Sequence, residues 1–359
     1  MKIFRIFVVG LLSFALYAQD NMDHRLNKID HRVSDFAKKM VAGGVAVAVI
    51  YPDPSGNNRY LQAVFNAGYF REPGSEAPGE DSIFHLGTLT EIFTASVLAK
   101  FVSEGKVSLD DLAQKYVPPG IQLPTLGGKQ ITLRQLATHT SGLPSDVKPS
   151  ESPYTTEDFF AWLSKLKLKH APGTKYVESN VGYGLLGIIL SQIGGETYED
   201  VVVSEFCKIL EMRDTRIHYS GSASDRMGLY YTKKGKPVEL TFPTFPALEG
   251  ALGFSSTLND MGRFLAFNMG LLDFGMNEIL PILQHREFDR KDDHYVCLGW
   301  NDQRLHTGSV RIFTINGNLE AFSAFIAFVP ETKTGVVVLA NAQSETRELG
   351  REILRIFNP

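Results

Sequence analysis

The sequence predicts an α/β fold: an antiparallel sheet built from both chain termini, flanked by helices, with a mainly helical lobe inserted between them. Three observations carry this. β-Branched, alternating runs sit near the N-terminus, in "GGVAVAVIYPD" and "RYLQAVFNAGYF". Similar runs return over residues 288–359, whereas 81–287 shows helical spacing and long loops. Strands at both ends of one chain share a core by pairing with each other, so residues 19–359 form one domain. Its α/β lobe takes about 19–80 and 288–359, and its helical lobe about 81–287.

The elements follow in order. Lys2 and Arg5 precede an apolar run from Ile6 to Leu16 and then "LYAQD", which reads as a signal peptide, residues 1–18, cleaved after Ala18. The other reading is an uncleaved anchor, for which the run is short. Cleavage implies a secreted or periplasmic protein with no membrane span. A helix is expected over about 20–41, then a strand, a Pro-Asp-Pro-Ser-Gly turn and a returning strand. "HLGTLTEIFTA" (85–95) places Leu86, Leu89, Ile92 and Phe93 at helical spacing. Near the C-terminus "HYVCLGWND", "SVRIFTI", "AFSAFIAFVP" and "GVVVLANA" read as strands, for a sheet of about five. "FVPETKTGVV" is expected to be a hairpin with Gly335 in its turn, and "SETRELGREILRIF" a closing helix capped by Ser344.

Composition narrows the function. The chain is 43% hydrophobic and 21% charged, as in ordinary globular proteins. Its formal charge of −4 becomes −6 when Lys2 and Arg5 leave with the signal, which speaks against nucleic acid as a partner. Cys207 lies in an apolar helical run and Cys297 in a strand; both read as buried thiols, with a disulfide as the alternative in an exported protein. No Cys/His spacing suits zinc, and no cofactor motif or repeat occurs.

Thr88 and Glu91 share one helix face, three residues apart. That spacing makes an N-terminal capping box. It also matches the Ser-x-x-Lys of serine acyl-transfer enzymes, with the hydroxyl kept and the amine replaced by a carboxylate. Further segments fall in a telling order: "FHLGTLTEIFTASVLAKFVSEGKVSLDDLAQKYVP", "ITLRQLATHTSGLP", "APGTKYVESNVGYGLLGIIL", "ALGFSSTLNDMGRFL" and "AFSAFIAFVPETKTGVVVLANA". Together they resemble the serine β-lactamase and penicillin-binding-protein superfamily, in its class C β-lactamase and D-alanyl-D-alanine carboxypeptidase/esterase branch. The resemblance implies that fold and a cleft between the two lobes.

Against that pattern the chemistry is altered. The first family motif, Ser-x-x-Lys, reads Thr88 and Glu91. The second, Tyr-x-Asn, reads Glu178, Ser179 and Asn180. The third, Lys-Thr-Gly or His-x-Gly, reads Ile315, Asn316 and Gly317. By resemblance, Thr88, Glu91 and Glu178 hold substituted catalytic positions. Asn180, Ile315, Gly317 and Asn318 hold substrate-binding ones, with backbone donors for an oxyanion at Thr88 and near Asn318. The Pro-Leu-Gly-Met segment reads Ile209, Leu210, Glu211, Met212. Literal matches elsewhere (Ser103 to Lys106, Ser164 to Lys167, Lys333 to Gly335) lie out of order; His306 to Gly308 sits nine residues early and reads as a turn between strands, with supply of the pocket cation through a local rearrangement as the alternative. His139 reads as a structural loop histidine, Trp162 and Trp300 as core.

The substitutions have physical consequences. The Thr methyl crowds the attack path, and a carboxylate at its usual pKa is a weak base for an alcohol. If Glu91 and Glu178 face Thr88 at ~4 Å from each other, they repel by roughly 4 kcal/mol at an effective dielectric near 20. One then holds a proton, a cation binds between them, or they swing apart. The expected pocket is anion-repelling. Losing a nucleophile or base alone costs a serine protease about 10⁶ in turnover. The first reading is therefore a non-catalytic relative that binds a small-molecule or cell-wall peptide ligand, or a protein partner, in the old cleft. The competing readings are an atypical esterase, amidase or peptidase using Thr88, and a carboxylate cation site or pure scaffold.

Overall fold

The computed structural model describes residues 2–53, 60–147, 155–238, 246–306, 309–319 and 321–359, with side chains from Asn21 onward except those of residues 224, 318 and 319. The chain runs α1 (Lys2–Lys39), β1 (Gly44–Pro52), β2 (Tyr60–Gly68), β3 (Phe84–His85), α2 (Thr90–Ser103), α3 (Leu133–Ala137), α4 (Thr156–Leu163) and α5 (Asn180–Gly194). It continues through α6 (Tyr198–Val202), β4 (Tyr230–Tyr231), β5 (Pro237–Val238), α7 (Glu249–Leu252), β6 (Ser255–Ser256), α8 (Leu258–Asn268) and α9 (Leu280–Leu283). The last part is β7 (Phe288–Asp289), β8 (Tyr295–Val296), β9 (Asn301–Arg304), β10 (Arg311–Leu319), β11 (Phe322–Val329), β12 (Thr334–Ala340) and α10 (Thr346–Phe357).

One antiparallel sheet joins the two ends of the chain, in the order β2-β1-β12-β11-β10-β9-β8-β7. β1 sits between β2 and β12, with Val45 opposite Ala340 and Ala67. The period of two in "GVAVAVI" divides this strand between two cores. Val45, Val47 and Val49 face α1 and α10, against Ile29, Val33, Ile353 and Phe357. Ala46, Ala48 and Ile50 face the helical lobe, in the core that holds α2, α5 and α8. Each fully buried Val or Ile contributes about 1.5–3 kcal/mol.

Several expectations change. The sheet has eight strands rather than five, because three short ones (β7, β8, β9) extend the long five toward the cleft. "HYVCLGWND" forms two of them, broken at Gly299, whose φ of 73° reverses the chain. A methyl at Gly299 would lie 2.9 Å from Ala95 Cβ, so the break also lets α2 press against the sheet. Gly335 is in β12, paired with Phe328, and Lys333 takes the left-handed turn conformation at φ 51°. α10 begins after Glu345 with no side-chain cap; the Ser344 N–H instead donates to Ser323 Oγ.

α1 starts before the helix expected over 20–41, and the expected signal segment, 1–18, falls where side chains are outside the described residues. Among the described residues no helix is long and apolar enough to cross a membrane. Cys207 and Cys297 are buried free thiols.

Candidate active site

α2 is buried on all sides from Thr90 to Ala99, as a central helix rather than a surface one. A short 3-10 turn, Gly87–Leu89, leads into it with Gly87 at φ 53°. The capping-box reading fails here: the N-cap of α2 is Leu89, and no side chain caps either the turn or the helix. A capping box is formed one helix later, by Thr132 before α3 and Gln135 within it. Thr88 is thus left half-buried at the mouth of a cavity of about 320 Å³.

β10 passes directly beside this turn. A methyl added at Gly317 would sit 2.7 Å from Leu86 O and 3.2 Å from Thr88 N, so only glycine permits the approach. Asn318 follows in β10, opposite Ser323, with its side chain outside the described residues. Ile315 is 6% exposed and lines the cavity, an apolar side chain where the resemblance expects a cation.

Glu91 is 1% exposed, and its Oε2 lies 3.2 Å from His139 Nε2. The other imidazole nitrogen, Nδ1, accepts a 3.1 Å hydrogen bond from the backbone N–H of Ser179. A backbone N–H only donates, so Nδ1 carries no proton and Nε2–H donates to Glu91. Glu91 Oε1 is buried and has no hydrogen-bond partner. Burial pushes the Glu91 carboxyl above its usual range; His139 opposes the shift and the Glu178 charge adds to it.

The loop after α3 places His139. Its φ is 56°, in the left-handed region, and its ring lies between those of Tyr176 and Tyr183 at 5.5 and 5.0 Å. The Val177 N–H donates to His139 O at 2.8 Å, which ties this loop to the Glu178 segment. Sequence reasoning favoured a structural role for His139 over a catalytic one. Its partner stands 48 residues away, and nothing in the local pattern announces the contact.

Glu178 is exposed and lines the cavity. Ser179 caps α5 by accepting from the Gly182 N–H. Asn180 opens that helix and turns from the cavity: its N–H donates to Ser145 O, and its Nδ2 lies 3.5 Å from Asp146 Oδ2. Thr88, Glu91, Glu178 and Ile315 therefore meet around one cavity, Gly317 abuts Thr88, and Asn180 stands apart. Among the described residues, no lysine lines the cavity. Ser103 and Lys106 are exposed at the end of α2, Ser164 ends α4, and His306 lies off the cavity wall; Thr307 and Gly308 are outside the described residues.

The expected anion-repelling pocket is not what the side chains make. Arg290 and Arg347 line the same cavity. Asp302, also on its wall, is matched by Arg286 at 2.6 Å and Arg311 at 2.5 Å. Burial shifts Glu91 toward its neutral form, and Glu178 shares the cavity wall with the two arginines. Among the described residues, no group of three His, Cys, Asp or Glu side chains gathers as a metal cage.

Comparison with known proteins agrees with this geometry. A family model described as Beta-lactamase matches residues 29–358. The D-alanyl-D-alanine-carboxypeptidase/endopeptidase AmpH of Escherichia coli (strain K12) is 29% identical over 326 residues, covering 85% of this chain and 81% of that protein. The Beta-lactamase of the same strain is 26% identical over 376 residues, 94% of each chain. Among solved structures, a class C beta-lactamase superposes with a TM-score of 0.79 at 25% identity, over 91% of this chain and 96% of that one.

Proposed function

We propose, from the premise that this chain belongs to the beta-lactamase family, that it is a secreted or periplasmic penicillin-binding-like protein that holds a ligand in the cleft without acyl transfer. One observation carries the loss of chemistry. Of the cavity side chains that could take the Thr88 proton, Glu91 and His139 are bonded to each other and His139 also to the Ser179 N–H, which leaves the exposed Glu178 as the carboxylate still open. The imidazole lone pair is filled by the Ser179 N–H, and Glu91 Oε1 has no partner, so the Thr88 hydroxyl is not held on it. Burial pushes the Glu91 carboxyl toward its neutral form, and in that form it takes no proton from the hydroxyl.

A cavity of about 320 Å³ with polar walls is of the size that small ligands fill. The name of the AmpH relative makes a D-alanyl-D-alanine peptide terminus the first ligand class to try. The localisation rests on Lys2, Arg5 and the apolar run behind them; N-terminal sequencing of exported protein is expected to begin at Gln19.

The test is covalent labelling with a fluorescent penicillin, and turnover of a nitrophenyl ester, for wild type and Thr88→Ala. Neither label nor Thr88-dependent turnover is expected. An adduct on Thr88 would sink the proposal in favour of the hydrolase reading, in which Glu91, once ionised, serves as base.

A further inference from the structure

The sheet ends in two unlike edges. At one, β7 and β8 are two residues each, and the turn between them carries Arg290, Lys291, Asp292 and Asp293, the last three with left-handed φ. Very short strands and charge keep an edge from pairing with another chain. At the other edge β2 runs nine residues, Tyr60–Gly68, with no charged side chain, no proline and an unbroken register against β1. No strand follows it in the sheet, so nothing blunts its outer side.

The ladder shows which groups point outward. The Tyr69 N–H donates to Gly43 O at 3.2 Å, in the register that β1 and β2 continue, so that opposed pair is a hydrogen-bonded one. Antiparallel pairs alternate, and Leu61, Ala63, Phe65 and Ala67 therefore bond to β1. The N–H and C=O of Tyr60, Gln62, Val64, Asn66 and Gly68 point away from it. Both faces of the strand are already covered. Ala63, Phe65 and Ala67 pack on the core beneath α1 and α10, and Tyr60 and Val64 on the core of the helical lobe. Leu61, 39% exposed, is the large apolar side chain of β2 left outside.

A second copy of the same strand fits this edge. Laid antiparallel about Val64, it sets Tyr60 against Gly68, Leu61 against Ala67, Gln62 against Asn66, Ala63 against Phe65, and Val64 against itself. The two aromatic side chains and Leu61 each meet a small residue, and the amides meet each other. Opposed residues belong to the same face of the strand, so each face continues across the seam. This register also engages every outward N–H and C=O of β2. The match is between the strand and itself, which singles out a second copy over any other extended peptide.

We propose that the chain forms a twofold dimer by antiparallel pairing of β2 with β2, which joins two eight-stranded sheets into one. The cleft is walled by residues of β8, β9 and β10, away from this edge, so both clefts stay open. The dimer is independent of whether the cleft binds a ligand or retains chemistry.

The experiment is sedimentation velocity on the mature chain from about 1 µM to about 0.1 mM, for wild type, Leu61→Lys and Asn66→Pro, with urea unfolding as the fold control. The Asn66 N–H points outward, so proline there removes an intermolecular donor and no bond to β1. Wild type is expected to be dimeric at the upper concentrations, and each variant to associate at least about tenfold more weakly. Single cysteines under oxidising conditions read the register, the native Cys207 and Cys297 being buried. Val64→Cys is expected to give a covalent dimer, because position 64 faces its own copy. Gln62→Cys is not, because its copy lies about 13 Å along the seam. If either substitution lowers the urea midpoint, the crosslinking pattern decides alone. A wild type that stays monomeric at about 0.1 mM, a dimer that survives both variants, or equal crosslinking at 62 and 64 would overturn the assignment. So would a monomer carrying a foreign peptide that Asn66→Pro releases, which would make β2 an acceptor for another protein's strand.

Discussion

Replacing His139 by Ala tests the buried pair at its centre. The imidazole supplies the acceptor for the Ser179 N–H and the donor for Glu91 Oε2. Both partners are buried, and Glu91 Oε1 already lacks a partner, so nothing nearby takes over either bond. Each orphaned group costs about 1–3 kcal/mol. The space left between Tyr176 and Tyr183 adds a packing loss, for a total of at least about 3 kcal/mol. That is a large part of the stability of a typical domain. Urea unfolding at fixed pH reads it as a lower midpoint with unchanged slope. His139→Gly loses the same bonds but relieves the left-handed backbone at φ 56°, and should be about 1 kcal/mol better than Ala.

The pH dependence separates this account from a plain packing defect. Glu91 has a folded-state pKa above the usual value near 4.5, so its favourable contribution is complete below that value and is lost as pH rises through the folded pKa. His139 is the neighbour that lowers it, so His139→Ala raises it further. The stability gap between wild type and variant should therefore widen once pH passes the wild-type folded pKa of Glu91, by no more than about 1.4 kcal/mol per pH unit. A pH-independent gap, or a total loss under about 1 kcal/mol, would refute the argument.

Three further outcomes are expected. Gly317→Ala should destabilise by about 1–3 kcal/mol in thermal unfolding, because the methyl meets Leu86 O and the Thr88 backbone rather than a movable side chain. Glu249, whose pKa burial lifts from 4.5 to about 6, withdraws stability as pH rises across that interval; Glu249→Gln should flatten it, with a difference of about 2 kcal/mol at neutral pH. Asn180→Ala should leave the calorimetric affinity for N-acetyl-D-alanyl-D-alanine unchanged, since its side chain is turned to Asp146; a severalfold loss would place Asn180 in the cleft after all.

Much of the fold is legible in the sequence because it is periodic. The alternation in β1, β11 and β12 both calls for strands and tells which face each residue meets. The strands of two to four residues are not legible: β7, β8 and β9 are too short to show a period, and they are paired only because β10 offers an edge. The motif order picked out Thr88, Glu91, Glu178 and Ile315, which line one cavity, while Ser344 and Gly335 were given roles that the backbone assigns to Glu345 and Lys333.

The amino-acid sequence by itself determined which residue types stand at the family-motif positions, because Thr88, Glu91, Glu178 and Ile315 are what they are in any conformation. Only the tertiary structure decided what surrounds them: His139 filling both its nitrogens between Ser179 and Glu91, and Arg290 stacked on Tyr176. Contacts between residues dozens to more than a hundred positions apart depend on the path of the whole chain. Burial, which raises the Glu91 pKa, is likewise a property of the packed molecule and of no segment within it.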